Sequence, residues 1–192
     1  MFIQTEDTPN PATLKFLPGR EVLGSGGLQV TREEAADRSP LAKAVYEVDG
    51  VVGVFLGPDF VSVTKSADAD WATIRALILA AIMDVYASGQ PVVREGATQP
   101  EAEPEYEGEV AEIVAEIKAL LDQRVRPAVA QDGGDITFHA FDVDTGVVQL
   151  HMRGACAGCP SSTFTLKQGV ENLFRHYVPE VKRVEPVMDE AW

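Results

Sequence analysis

A segment rich in Gly, Pro and Glu divides the chain and limits the size of each fold. Residues 89–108 read GQPVVREGATQPEAEPEYEG and have almost no apolar periodicity, which is typical of a solvated, flexible linker. The linker separates an N-terminal domain at 1–88 from a C-terminal domain at 109–192. Each domain is small and can bury only a modest core. The sequence therefore predicts two domains that fold independently and move relative to each other.

The N-terminal domain is predicted to combine short strands with helices. ATLKFLP alternates apolar and polar residues, and VVGVFLGPDFVSVTK predicts a hairpin that turns at Gly57 and Pro58. Ser39 and Pro40 are suited to the N-cap and the first position of a short helix. We expect this helix to pack on the strands.

A second helix is predicted to begin near Asp70 and to end at Gly89 and Pro91. Its apolar residues follow the 3.6-residue period of a single helical face. They are Ile74, Leu77, Ile78, Ala81, Ile82 and Val85.

The C-terminal domain is predicted to run helix, hairpin, helix, strand, which makes the whole chain an α+β protein. Six apolar residues share one face of the first helix, namely Val110, Ile113, Val114, Ile117, Leu120 and Leu121. This helix is expected to end around Arg126 and Pro127 or one turn later. ITFHAFD and GVVQLHM predict the hairpin, with Gly146 at a positive φ. A helix after the cysteines and a strand at KRVEPV complete the domain.

The two cysteines of the chain, Cys156 and Cys159, form a C-x-x-C in GACAGCPSS. The pair lies between a predicted strand and a predicted helix N-terminus, where backbone N–H groups and the helix dipole favour thiolate over thiol. Gly154 and Gly158 allow the tight backbone that such a loop needs. So few cysteines, placed so close together, indicate an intracellular metal or redox role, and the cytoplasm is the expected location.

Two thiolates supply half of the four protein ligands that a closed zinc site or an iron-sulfur cluster usually has. A second copy of the chain is the simplest source of the other two, which predicts a homodimer sharing one site. One alternative is a thiol-disulfide oxidoreductase, although 33 residues follow Cys159 and that class carries its pair early in the fold. Another is a zinc module with His151 as a third ligand. His139 and His176 have no ligand spacing, and QDGGD at 131–135 is interpreted as a turn.

Charge and composition exclude several function classes. The chain of 192 residues has a formal charge of −14, so nucleic acid is not an expected partner. Apolar residues make up 45% and charged residues 24%, and no apolar run is expected to span a membrane. The segment MFIQTEDTPNPATLKF lacks the features of a signal peptide.

Three segments of the C-terminal half carry a resemblance to a known family. VRPAVAQDGGDITF, GACAGCPSSTFTLKQGVENLF and PEVKRVEPV resemble the C-terminal NifU-like domain over roughly residues 110–188. TEDTPNPATLKFLPG and SPLAKAVYEVDGVVGVFLGPDFVSVTK are similar to the N-terminal domain of Nfu-type proteins. Together these matches cover nearly the whole chain.

The resemblance implies a carrier of a 4Fe-4S cluster and not an enzyme. In this family the cluster is typically bridged between two protomers, which would make Cys156 and Cys159 the ligands. The implied partners are cluster-assembly donor proteins and apo iron-sulfur proteins that accept the cluster. The N-terminal domain, which has no cysteine, is expected to dock clients or assembly partners.

Overall fold

A computed structural model describes residues 2–97, 104–157 and 160–187, with only the backbone described at 160–163. It confirms a mixed helix and sheet protein of two domains, each with its own sheet and its own hydrophobic core. The predicted α+β class is therefore correct.

The N-terminal domain is built on a sheet of five antiparallel strands in the order β1-β2-β5-β4-β3. The strands are β1 (Gln4–Asp7), β2 (Thr13–Leu17), β3 (Leu28–Val30), β4 (Val51–Leu56) and β5 (Val61–Lys65). The predicted hairpin is β4 and β5. Strands β1 and β3 were not predicted, because each is a short edge strand, and β1 has the polar sequence QTED.

Three helices accompany this sheet, α1 (Ala35–Arg38), α2 (Pro40–Tyr46) and α3 (Trp71–Ser88). The predicted start of α2 is confirmed, since the Ser39 hydroxyl accepts a hydrogen bond from the Ala42 amide at 3.0 Å. Asp70 caps α3 in the same way, and Gly89 ends it at φ 70°.

The buried face of α3 is narrower than the periodicity predicted. Ile74, Ile78, Ile82 and Val85 are buried in the N-terminal core, but Leu77 is 54% exposed. A helix lying on a sheet contacts it along a stripe, and a residue at the edge of the apolar face stays in solvent. By length and composition alone α3 is also apolar enough to cross a membrane, contrary to expectation, and in this fold its buried residues belong to the N-terminal core.

The C-terminal domain follows the predicted order of helix, hairpin, helix and strand. Its helices are α4 (Gly108–Leu120), a π-helical segment (Leu121–Val125), α5 (Arg126–Gln131) and α6 (Pro160–Tyr177). Its strands β6 (Gly134–Asp142), β7 (Val147–Gly154) and β8 (Arg183–Val187) form a sheet in that order, with β8 parallel to β7. Gly146 has φ 70° in the hairpin turn, as predicted.

The first helix of this domain continues past Pro127 by changing its hydrogen-bond pattern. Pro127 has no amide hydrogen, so an uninterrupted α-helical ladder is not available to it. The Arg126 amide instead donates to the carbonyl of Leu121, which is the wider spacing of a π-turn. The helix therefore ends one turn later, at Gln131.

The first part of the predicted linker packs on the N-terminal domain. The Ser39 hydroxyl donates to the Val92 carbonyl at 2.6 Å, and the Arg38 guanidinium donates to the Ala97 carbonyl at 2.7 Å. Val92 and Val93 also pack against the N-terminal core. Residues 89–97 thus differ from the solvated path that their composition predicted, while residues 98–103 lie outside the described part of the chain.

Candidate metal centre

Cys156 lies in the turn that follows β7. Its amide donates to the Arg153 carbonyl at 3.3 Å, and the neighbouring Ala155 amide donates to the Gly133 carbonyl at 3.1 Å. The side chain is 6% exposed and belongs to the C-terminal core. Cys159, the other predicted ligand, and Gly158 lie outside the described residues. The structure therefore shows where Cys156 lies, and the role of the two thiols as a pair of ligands stays a prediction.

The strands β6 and β7 have glycines at their ends beside Cys156, where the structure leaves no room for side chains. A Cβ on Gly134 would lie 2.5 Å from the Cys156 Sγ. Gly154 has φ 61°, and a Cβ on it would lie 2.6 Å from the Gly133 carbonyl oxygen. Both distances are too short for a side chain, so the ends of β6 and β7 approach the thiol only as glycine backbone.

Burial, together with the smaller effect of the Asp132 and Asp135 carboxylates, raises the pKa of the Cys156 thiol to about 12. A thiolate would have to exist in an apolar core next to two negative charges. The expectation of a thiol activated towards thiolate by the helix dipole is therefore wrong for this conformation. In the conformation described here, Cys156 is a protonated, buried thiol.

A salt bridge fixes the turn beside this thiol. The Arg126 Nε donates to the Asp135 Oδ1 at 2.8 Å, and its Nη2 donates to the Asp135 Oδ2 at 2.9 Å. The Asp135 side chain is 8% exposed, and its Oδ1 also accepts from the Ile136 amide at 2.9 Å. The hydrogen bond to Asp135 raises the pKa of Arg126 above its ordinary value. The sequence predicted only a turn at QDGGD, because no local spacing identifies the pair of Arg126 and Asp135.

The histidines do not join a described ligand set. His139 Nδ1 and His151 Nε2 are 2.8 Å apart on adjacent strands, and His176 packs its ring against Tyr177. Within residues 2–97, 104–157 and 160–187, no group of three or more His, Cys, Asp or Glu side chains is arranged to hold a metal ion. The alternative of a zinc site with His151 as third ligand gains no support from this geometry.

The N-terminal domain contacts the turns on both sides of Cys156. Ser62 donates its hydroxyl proton to the Gly133 carbonyl, and Lys15 Nζ donates to the Gln131 carbonyl at 3.1 Å. Asn10 Nδ2 donates to the Ala157 carbonyl at 3.2 Å, and the Gln29 Oε1 accepts from the Gly154 amide at 3.2 Å. The sequence predicted two domains that move relative to each other, whereas these four hydrogen bonds join them in the structure.

Family comparisons agree with this architecture in both halves. Residues 3–89 match the family described as "Scaffold protein Nfu/NifU N terminal", and residues 117–185 match the "NifU-like domain". The human protein "NFU1 iron-sulfur cluster scaffold homolog, mitochondrial" is 49% identical over 99% of this chain and 73% of its own length. The chain belongs to the Nfu/NifU-like family.

Further relatives extend this similarity. "NifU-like protein 4, mitochondrial" from Arabidopsis thaliana is 50% identical over 98% of this chain, which spans 67% of that relative. A solution structure of a NifU-like protein from Saccharomyces cerevisiae aligns with 50% of this chain and 86% of its own at 27% identity, with a TM-score of 0.41. The expectation of a cytoplasmic location is contradicted, because the similar plant, fly and human proteins are named mitochondrial.

Proposed function

We propose that this chain carries a 4Fe-4S cluster held by Cys156 and Cys159 of two copies, and that it passes the cluster to apo iron-sulfur proteins. The human and fly relatives are named iron-sulfur cluster scaffolds, which supports a cluster as the cargo. The observation that carries the proposal is the position of Cys156 at the end of β7, in a turn whose glycines bring backbone against the thiol. Cluster-assembly donors and apo-acceptors are then its partners, and its role is carriage and not catalysis.

The number of ligands supports sharing between copies. A cubane cluster usually takes four cysteine thiolates, and this chain has two cysteines. The described residues offer no additional cluster of metal-binding side chains that would complete a site within one chain. Two C-x-x-C pairs related by a two-fold axis provide four sulfurs.

The buried thiol indicates how the cargo would be acquired. A thiol must be accessible before it can bind iron, and the Cys156 side chain is buried in the C-terminal core in the described conformation. Cluster binding therefore requires the 154–157 turn to rearrange so that the sulfur faces outward. A site assembled by rearrangement and shared between copies is easier to dismantle than a closed structural site, which suits a carrier.

The test is anaerobic reconstitution of the full chain and of the variants Cys156→Ser and Cys159→Ser. We expect about four irons and four sulfides per dimer in the unchanged chain and loss of stable cluster in either variant. His151→Asn is the matched control, because a zinc site with His151 as ligand would lose its metal whereas the proposed site would keep its cluster. Full iron and sulfide content in a single-cysteine variant would show that the ligand assignment is wrong.

Sedimentation of the same samples tests the sharing. We expect the apo chain to be mainly a monomer, because each copy has a formal charge of −14, and the loaded chain to be a dimer. Adding an apo-acceptor should remove the cluster and restore the monomer. A monomer carrying four irons would contradict a shared site, and reversible disulfide turnover without iron would favour the oxidoreductase alternative.

A further inference from the structure

The N-terminal domain presents a surface that fits the backbone on both sides of Cys156. We name this the docking surface, and its polar members are Asn10, Lys15, Gln29 and Ser62. Each of these side chains makes a hydrogen bond to a backbone group in the C-terminal domain, at Ala157, Gln131, Gly154 and Gly133 respectively. The four hydrogen bonds therefore form only when the backbone on both sides of Cys156 follows its described path.

Two buried phenylalanines extend the docking surface with apolar contacts. Phe55 is 1% exposed and Phe60 is 2% exposed, yet neither belongs to the hydrophobic core of either domain. The Phe55 ring lies beside Gly154, where a Cβ would be 3.0 Å from the Phe55 Cδ1. Both rings line a cavity together with Arg126 and Gly134 of the C-terminal domain, so they lie on the face of the N-terminal domain that meets it.

The docking bonds lie at both ends of residues 154–157, which we name the ligand turn. Gly154 is tied through its amide to Gln29, and Ala157 is tied through its carbonyl to Asn10. Cys156 lies between these two anchors, and its side chain is buried. Turning the sulfur outward changes the backbone of a segment that is held at both ends, so the anchors oppose that change.

We propose that the N-terminal domain is the internal partner of the ligand turn, holding Cys156 buried in the cluster-free chain and separating from it when the turn receives a cluster. This inference rests on the proposed cluster site and adds a role for a domain that contains no cysteine. The docking surface also competes with a second copy of the chain, because a shared cluster needs access to the same turn. Undocking and cluster loading are then coupled, and each favours the other.

The docking surface can be weakened without disturbing the N-terminal fold. Asn10→Asp keeps the Oδ1 atom that accepts from the Ala12 amide at 3.0 Å, but it loses the Nδ2 donor to Ala157 and places a carboxylate against that carbonyl. Ser62→Ala removes the bond to Gly133. The matched control is Tyr86→Phe with Ser88→Ala, which removes two side chain to backbone bonds that stay inside the N-terminal domain.

The first measurement is the rate at which N-ethylmaleimide labels Cys156 in the apo full chain, followed by peptide mass. We expect the Asn10→Asp/Ser62→Ala chain to label roughly tenfold faster than the unchanged chain, since two hydrogen bonds that oppose opening are lost. The control double variant should label at the unchanged rate. Equal labelling rates in the docking variant and the unchanged chain would overturn the proposal.

The second measurement compares amide hydrogen exchange at Gly154 and Leu150 in the unchanged chain, the docking variant and the control double variant. The Gly154 amide is bonded across the domain contact, whereas Leu150 lies in the C-terminal core. Faster exchange at Gly154 alone supports undocking, and faster exchange at both would mean that the domain itself unfolds and would count against the proposal.

Iron and sulfide uptake by the same three proteins separates this inference from the proposed function. Faster loading in the docking variant supports both. If the docking variant labels faster at Cys156 but no protein takes up a cluster, the carrier role is contradicted, while the conclusion that the N-terminal domain holds Cys156 buried still stands. A loading rate that does not respond to faster labelling would overturn the coupling.

Discussion

Removing the Arg126 guanidinium tests whether its salt bridge to Asp135 holds the C-terminal domain together. The Arg126 guanidinium forms salt bridges to two carboxylates that differ in their exposure to solvent. Asp135 has a side chain that is 8% exposed and is bound by two guanidinium nitrogens, whereas Asp122 is 62% exposed and is bound by one at 2.9 Å. Arg126→Met keeps most of the side-chain length but leaves the Asp135 carboxylate buried with the Ile136 amide as its described donor.

The cost follows from that difference in burial. Breaking a buried pair by removing one partner typically costs about 3 kcal/mol or more, because the remaining charge is left without compensation. Arg126 is itself 30% exposed, and solvent reaches part of the site, so we expect about 2–3 kcal/mol. For a domain of this size that loss lowers the unfolding temperature by roughly 10–20 °C. Asp122→Asn, which breaks the exposed arm, should cost about 0.5 kcal/mol or less.

Hydrogen exchange of peptides from β6 and β7 measures the stability of the C-terminal domain separately from that of the N-terminal domain. Urea unfolding followed by circular dichroism gives the total change for the full chain. Asp135→Asn is a second variant, because it removes the buried charge and leaves Arg126 its partner Asp122. The reasoning is refuted if Arg126→Met loses no more protection in β6 and β7 than Asp122→Asn does.

Three further predictions concern packing, backbone and pH. In urea unfolding, Ile78→Ala should lower the free energy of unfolding by about 3 kcal/mol, because Ile78 is fully buried. Leu77→Ala should lower it by less than about 1 kcal/mol, because Leu77 is 54% exposed. Equal losses would contradict the observed face of α3. Gly146→Ala should lower the free energy of unfolding by about 2–3 kcal/mol, and Gly89→Ala should lower it by about 1 kcal/mol. Both glycines have φ 70°, but of the two only Gly146 has a backbone oxygen 2.6 Å from the position of an added Cβ. Burial raises the pKa of Tyr46 from 10.0 to about 12, so its neutral form contributes stability that is present below pH 10 and is lost as the pH rises towards 12. Tyr46→Phe should lower stability by about 1–2 kcal/mol at neutral pH and flatten that alkaline loss, and an unchanged alkaline slope would contradict this cause.

The candidate site was predictable only in part. Cys156 was identified from its spacing to Cys159 and from the glycines around it, because a C-x-x-C is a local pattern. The state of the Cys156 thiol was predicted wrongly, since the helix N-terminus is a local feature whereas burial and the carboxylates of Asp132 and Asp135 depend on how the turn packs. The bond from Arg126 to Asp135 was missed because it joins a helix to a strand across a turn.

The sequence by itself determined the presence of two domains, the α+β class, the N-cap of α2, the end of α3, and the order of elements in the C-terminal domain. These features depend on interactions within a few residues, which periodicity, capping residues and turn residues record directly. Tertiary structure alone decided the edge strands β1 and β3, the packing of 92–97, and the docking of the N-terminal domain on the turn that holds Cys156. Those contacts join residues far apart in the chain, such as Asn10 and Ala157, and depend on complementary surfaces that exist only after both domains have folded.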